Sequence, residues 1–389
     1  MTQPSRPTNR LWRRSRRVLA ALALVPLLAL TACLPGSGRQ NTRALAPADS
    51  AAAGLASAVP VDSLVEVWSL PMGEVAEVPS NIAWIQPDSA SGARLAVVET
   101  KNGAVHTVSA SGERGPVWSV GEERYPYLAG VVGDTVVVLS RGVPALEWVT
   151  ASGVARSVPV PEGATAAFVD RTRTIVRVGG GPSEVSPALV SLSASGDETG
   201  RFTFAQPWRA WGFVRPWGDS VLALSGYRPV ADVLTPEASG AGALDTLAFA
   251  GFDSPQLVRS YQFMTGEVDE PPLLSPAAAA LGERLYVLNV RSERVRIDVY
   301  DRRGQLVRVL QGAVPLSAEG KQQVLDVYPA DLAVRQTASG AVEIALLMKR
   351  DRGLFQRADA RVLLYRWAPQ PLEASGVTNR DSSEVSAVR

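Results

Sequence analysis

The chain of 389 residues has one cysteine, one histidine, four methionines and few aromatics (6%), and neither charge dominates, with Lys+Arg 39 against Asp+Glu 38. Each scarcity removes a class of function. With Cys33 alone, no intrachain disulfide and no thiolate metal cluster can form. With His106 alone, a multi-histidine metal site is impossible, and a Ser-His-Asp triad would depend on that one imidazole. The formal charge is +1, but Arg6, Arg10, Arg13, Arg14, Arg16 and Arg17 all fall in the first 17 residues, and setting these six aside leaves −5. A weakly acidic remainder argues against a nucleic-acid partner, whose phosphates need a basic face.

The arginines open a secretory leader. Residues 18–30 are an apolar run broken only by Pro26, and small residues follow. The run is shorter than the roughly 20 residues a membrane-spanning helix needs, so no retained span is expected. It closes on Leu30-Thr31-Ala32-Cys33. This stretch resembles the lipobox of bacterial lipoproteins, which implies cleavage after residue 32 and a diacylglycerol on the Cys33 sulfur. Leu34 is not the aspartate linked to inner-membrane retention, so in a Gram-negative host the resemblance implies the outer membrane, facing the periplasm or the surface. Ser15-Arg16-Arg17-Val18-Leu19 resembles a twin-arginine signal but also suits an ordinary basic leader, and the export route stays open. Residues 33–62 then carry the lipidated cysteine and an aperiodic Gly, Ser, Ala and Pro tether, with a mean reach of roughly 30 Å as a coil.

Beyond the tether the chain repeats itself. Residues 104–112, 145–153 and 188–196 are near copies, starting 41 and then 43 residues apart and ending on Ala-Ser-Gly each time. Each reads as a strand entering a tight turn closed by a glycine with positive φ. An apolar inner stretch and a β-rich run precede every copy: residues 81–86 with 95–100, 127–132 with 135–140, and 164–169 with 174–178. The pattern recurs at 210–214 with 221–224, 277–281 with 285–290, and 331–334 with 342–348. A period near 40 with four antiparallel strands per unit predicts an all-β fold, a six-bladed β-propeller. The second strands are apolar at consecutive positions, as for a sheet covered on both faces.

Residues 63–368 form the expected propeller and 369–389 a polar tail. On repeat length and strand order over residues 64–368 the chain resembles six-bladed propellers of the NHL and TolB-like kind. The segment 63–69 precedes the first unit and is expected to pair beside residues 360–367, fastening the ends together. Aspartate at Val67 should then lower the melting temperature of the whole domain. Residues 235–242 and 253–276 read as surface insertions or as the remains of a seventh blade.

One rim of such a ring collects the loops between second and third strands and the loops entering each first strand. It would carry Lys101, Arg141, Arg228, Arg291, Lys349, Arg350 and Arg352 beside Glu122, Glu123, Glu267, Asp269 and Glu270, with Tyr125 and Tyr328. Trp208, Trp211 and Trp217, with Arg209 and Arg215 between them, could stack on a ligand at the channel mouth or fill gaps between blades. His106 occupies the place of Glu147 and Val190 in the sister copies, a third-strand position away from the axis. Asp170, Asp219 and Asp331 lie near first strands and leave an oxygen-ligand calcium site open, although their spacing is not diagnostic. Gly179-Gly180-Gly181 lacks the lysine of a phosphate loop. No cofactor is expected. The expected function is a binding or scaffold module at the membrane with an unknown protein or small-molecule ligand; the alternative is a calcium-dependent hydrolase of the lactonase type, which many six-bladed propellers resemble.

Overall fold

In the computed structural model the structure describes residues 58–368, apart from 74, 87–91, 180–185, 205–208, 210, 237–241, 292–293, 314–326 and 351–358. Cys33, the leader, most of the tether, the tail and Trp208 therefore lie outside the described residues. The N-terminal part supplies two strands, β1 (Val61–Ser63) and β2 (Val65–Pro71). Six sheets follow. Blade 1 is β3 (Pro79–Ile85), β4 (Arg94–Glu99), β5 (Ala104–Ser109) and β6 (Arg114–Ser119). Blade 2 is β7 (Pro126–Val132), β8 (Thr135–Ser140), β9 (Ala145–Thr150) and β10 (Gly153–Pro159). Blade 3 is β11 (Ala164–Val169), β12 (Thr174–Val178), β13 (Ala188–Leu192) and β14 (Glu198–Thr203). Blade 4 is β15 (Phe213–Trp217), β16 (Ser220–Leu224), β17 (Val230–Pro236) and β18 (Gly242–Ala248). Blade 5 is β19 (Ala277–Leu281), β20 (Arg284–Asn289), β21 (Arg294–Tyr300) and β22 (Leu306–Ala313). Blade 6 is β23 (Val327–Gln336), β24 (Val342–Arg350) and β25 (Asp359–Trp367), completed by β2.

The three near-copies form their turns for the same local reason. Gly112, Gly153 and Gly196 sit at φ of 89°, 102° and 96°, and paired hydroxyls brace each turn, Ser109 to Ser111, Thr150 to Ser152 and Ser193 to Ser195, at 2.8–2.9 Å. The inner strands touch in a closed circuit, β3 to β7, β11, β15, β19, β23 and back to β3. Residues 253–276, where a seventh blade could have hidden, hold the helix α1 (Leu257–Met264) and no sheet, so the blades number six.

Consecutive apolar residues now have their explanation. In β8, Val136 and Val138 point into the seam with blade 1, while Val137 and Leu139 point into the seam with blade 3. Among the described residues there are six such apolar clusters, each lying between two adjacent blades. No blade has a core of its own. Each buried Val or Leu in a seam contributes about 1.5–3 kcal/mol, and that contribution exists only while its neighbour is present.

The ends are fastened as expected, with an addition. β2 pairs antiparallel with β25, from Val65 opposite Arg366 to Pro71 opposite Arg361. β1 begins at Val61, two residues before the expected start of the domain, and runs parallel to β22 of blade 5, making that sheet five-stranded. The N-terminal segment thus straddles blades 5 and 6. Asp62 accepts from Trp367 Nε1 at 2.9 Å and pairs with Arg308 at 3.3 Å. Val67 is a poor probe of this closure, contrary to expectation: the register shifts between Glu66 and Trp68, and the bulge leaves Val67 41% exposed.

Candidate functional site

The top rim is the end at which the chain enters each inner strand. Just inside it, the channel is crossed by polar side chains. Arg215 of β15 reaches Asp331 of β23, 3.3 Å to either carboxylate oxygen, although blade 5 lies between their blades in the ring. Asp331 also accepts from Asn81 Nδ2 at 3.0 Å and from the backbone N–H groups of Ile82 at 3.1 Å and Leu332 at 2.9 Å. Asn81 Oδ1 in turn accepts from the N–H of Leu128 at 3.2 Å. Blades 1, 2, 4 and 6 are tied by this one chain of bonds, and Asp331 is 1% exposed.

The three aspartates considered for calcium do not converge. Asp170 follows β11 at the bottom rim, where it holds Arg173 at 2.6 Å and caps its own turn, which pulls its carboxyl below the usual range against the upward push of burial. Asp219 is exposed in the β15–β16 turn. Among the described residues no group of three or more His, Cys, Asp or Glu is arranged to hold a metal ion.

Several expected rim cations are paired with carboxylates of this chain. Lys101 pairs with Glu77, and Arg209 with the buried Asp232. Arg291 and Arg296 share Asp253, at 2.8 and 2.7 Å. Lys349 is half-buried near the end of β24, opposite Tyr328 in the ladder. Trp217 is separated from Trp211: it is 1% exposed at the bottom of the blade 4–blade 5 seam, under the Arg302 guanidinium 4.8 Å from its ring centre. It fills a gap between blades.

What remains together lies over blades 2, 3 and 4. Tyr125 is 46% exposed at φ 48°, in a loop where Glu123 also takes φ 61°. Such backbone is costly for residues with a Cβ, and the fold holds it in place from both sides. Arg124 reaches down to the buried Glu147 at 2.9 Å, and a Cβ on Gly142 would stand 1.7 Å from the Glu123 carbonyl oxygen, so only glycine lets the two loops meet. Arg141, exposed, lies over the Tyr127 ring at 3.8 Å and donates to the Thr165 carbonyl at 2.5 Å. Trp211 and Tyr227 meet edge to face at 5.3 Å, and Arg228 stands half-buried beside Tyr227.

Beneath them is a residue the sequence reading passed over. Arg177, in β12, is 3% exposed in the blade 3–blade 4 seam. Its Nε donates to Thr165 Oγ1 at 3.1 Å and its Nη2 to the Gly212 carbonyl at 2.5 Å, while Nη1 has no partner among the described residues. Burial, then repulsion from Arg141, pulls its pKa down to about 9 against the opposing pull of Tyr227. The signal was there: in the aligned second strands the places matching Arg177 are Val98 and Leu139, both seam residues. His106 lies in β5, the third strand, 8% exposed, with its pKa lowered by burial and by Arg114.

A closed ring, six blades of four antiparallel strands with β1 added to the edge of the fifth, and apolar seams define a six-bladed β-propeller. No protein-family model matches the sequence, and no curated protein matches it. Several solved structures resemble it in shape. Virginiamycin B lyase from Staphylococcus aureus aligns over 77% of this chain and 99% of its own, at 7% identity and a TM-score of 0.45. The calcium-binding protein regucalcin from Agrobacterium tumefaciens aligns over 79% and 95%, at 13% identity and a TM-score of 0.48. Glutaminyl cyclase from Myxococcus xanthus aligns over 80% and 100%, at 9% identity and a TM-score of 0.38. Likeness this distant transfers none of their activities.

Proposed function

We propose that the chain is a lipoprotein, anchored through Cys33 on the periplasmic or surface side of the cell envelope, whose propeller binds a partner or ligand with its top rim over blades 2 to 4. The observation that carries the reading is the contrast between cations. Lys101, Arg209 and Arg291 each have a carboxylate partner of this chain, whereas Arg141 and Arg228 have none among the described residues and stand with the exposed Tyr125 and the Trp211–Tyr227 pair. Cationic and aromatic groups left over from folding are what a binding surface needs. The basic leader, apolar run and cysteine in register support the anchor, and the acidic charge of the remainder supports a partner other than nucleic acid. A calcium-dependent hydrolase has less support, because the axial Asp331 has both oxygens engaged by Arg215, Asn81 and backbone N–H groups.

The test is capture from detergent-solubilised envelope by the full lipidated chain. Tyr125→Ala combined with Trp211→Ala should abolish a stoichiometric capture that Arg302→Ala, at the bottom rim, leaves intact. Equal loss in both would count against the top rim. Cys33→Ser should move the protein from the detergent to the aqueous phase, and retention in detergent would remove the anchor.

A further inference from the structure

Thr165 is held by two guanidiniums at once. Arg141 binds its carbonyl and Arg177 its hydroxyl, and a bulge between Ala164 and Ala166 is what turns this residue toward both. Two like charges brought to one residue repel each other, and repulsion of this kind in a protein interior is relieved by an acid. Elsewhere in the described structure it is. Asp298 lies against Arg296, Glu343 between Arg335 and Arg366, and Asp331 against Arg215. At Thr165 the described residues supply neither a carboxylate nor a hydrogen-bond partner for Nη1 of Arg177. A buried guanidinium with an unused donor is expensive to keep. At the matching positions Val98 and Leu139 fill the seam instead, so blade geometry does not require a cation there.

We propose that the counter-ion at this place is a small oxyanion group of a ligand, a carboxylate or a phosphoryl group, bridging Arg177 and Arg141 with the Tyr227 hydroxyl as a further donor. The inference deepens the top-rim reading by naming the chemical group the rim takes. Arg141 is exposed and Tyr227 half-buried, so these two side chains can shift to admit the anion, whereas Arg177 is fixed by Thr165 and the Gly212 carbonyl. Gly212 keeps that carbonyl in place: it sits at φ 87°, and a Cβ there would lie 1.9 Å from the Leu224 oxygen. Burial gives the guanidinium a strong field at short range and makes it a selective receptor for charge, since the low dielectric amplifies the attraction to a matching anion.

The full chain in detergent is titrated with inorganic phosphate and, separately, with acetate, at constant ionic strength against chloride, following the melting temperature. A saturating rise is expected with at least one of them. A response to phosphate alone identifies a phosphoryl group, and a response to acetate alone a carboxylate. Arg177→Met should melt at or above the parent temperature in chloride and lose the response by at least tenfold in midpoint concentration. Arg141→Gln, which keeps a donor for the Thr165 carbonyl without the charge, should weaken the response and leave the melting temperature in chloride unchanged. The inference is overturned if neither anion shifts the parent, or if Arg177→Met melts lower and responds as the parent does. Partner capture lost by the Tyr125 and Trp211 substitutions, with no anion response, would leave the rim standing and remove only the oxyanion.

Discussion

Asp331 shows what a single side chain does at the centre of the ring. Its carboxylate is buried and receives Arg215 across the channel, Asn81 from blade 1 and two backbone N–H groups. Removing it with Asp331→Ala would leave Arg215 unpaired at 13% exposure and orphan the Ile82 N–H. Breaking such a pair from one side costs about 3 kcal/mol, which the urea midpoint at constant m-value should report. His106 works in the opposite sense, since burial and the nearby Arg114 hold its pKa below the ordinary 6.5. The unfolded chain therefore binds a proton there before the folded one does, so its contribution is fully present above pH 6.5 and is lost as the pH falls through the folded value. Melting temperatures between pH 8 and 5 should fall less steeply for His106→Gln than for the parent, and equal slopes would contradict the assignment. Neither partnership was visible in the sequence. Asp331 and Arg215 are 116 positions apart, and nothing in a linear pattern says that two inner strands face each other across an axis.

Elements were more legible than side chains because the seams impose a pattern. β8, β11, β12 and β19 have the bounds that apolar runs and turn glycines gave them. The inner strand of blade 4 begins three residues later than its apolar run, because Gly212 takes a left-handed conformation against the Leu224 carbonyl and breaks the ladder there. Bulges were invisible, since one extra residue leaves composition untouched while reversing which side chains face inward. They turn Thr165 toward Arg141 and Arg177, and Val67 toward solvent. With Val67 turned to solvent, Val67→Asp should change stability by no more than about 0.5 kcal/mol. Leu70 pairs opposite Val362 and packs against the blade 6–blade 1 seam. Leu70→Asp places an unpaired carboxylate there and should cost roughly 2 kcal/mol or more. Chemical denaturation of both variants checks the register directly, and a reversed order would mean that β2 is threaded without its bulge.

At the scale of the molecule, the six seams make stability a property of the ring, and the N-terminal segment is what completes it. β1 adds the Asp62 links to Arg308 and Trp367 and the burial of Leu64, whose N–H donates to Gln311 at 2.7 Å. β2 adds a fourth strand to blade 6, and through Trp68 Nε1, 2.9 Å from the Ala110 carbonyl, it also grips the β5–β6 turn of blade 1. The two strands therefore make different contributions. Deleting residues 58–64 removes a clamp between blades 5 and 6 but leaves every blade with four strands, so the melting temperature should fall while unfolding remains a single transition. Deleting residues 58–71 leaves β25 as a bare edge and uncovers the seam between blades 6 and 1, the one seam that joins the two ends of the ring. Unfolding should then broaden or split, with a smaller m-value, as blades next to the opening come apart before those opposite it. If both deletions melt sharply at the same temperature, closure resides in the inner-strand contacts between β23 and β3 alone, and the outer strand is an attachment rather than a fastener.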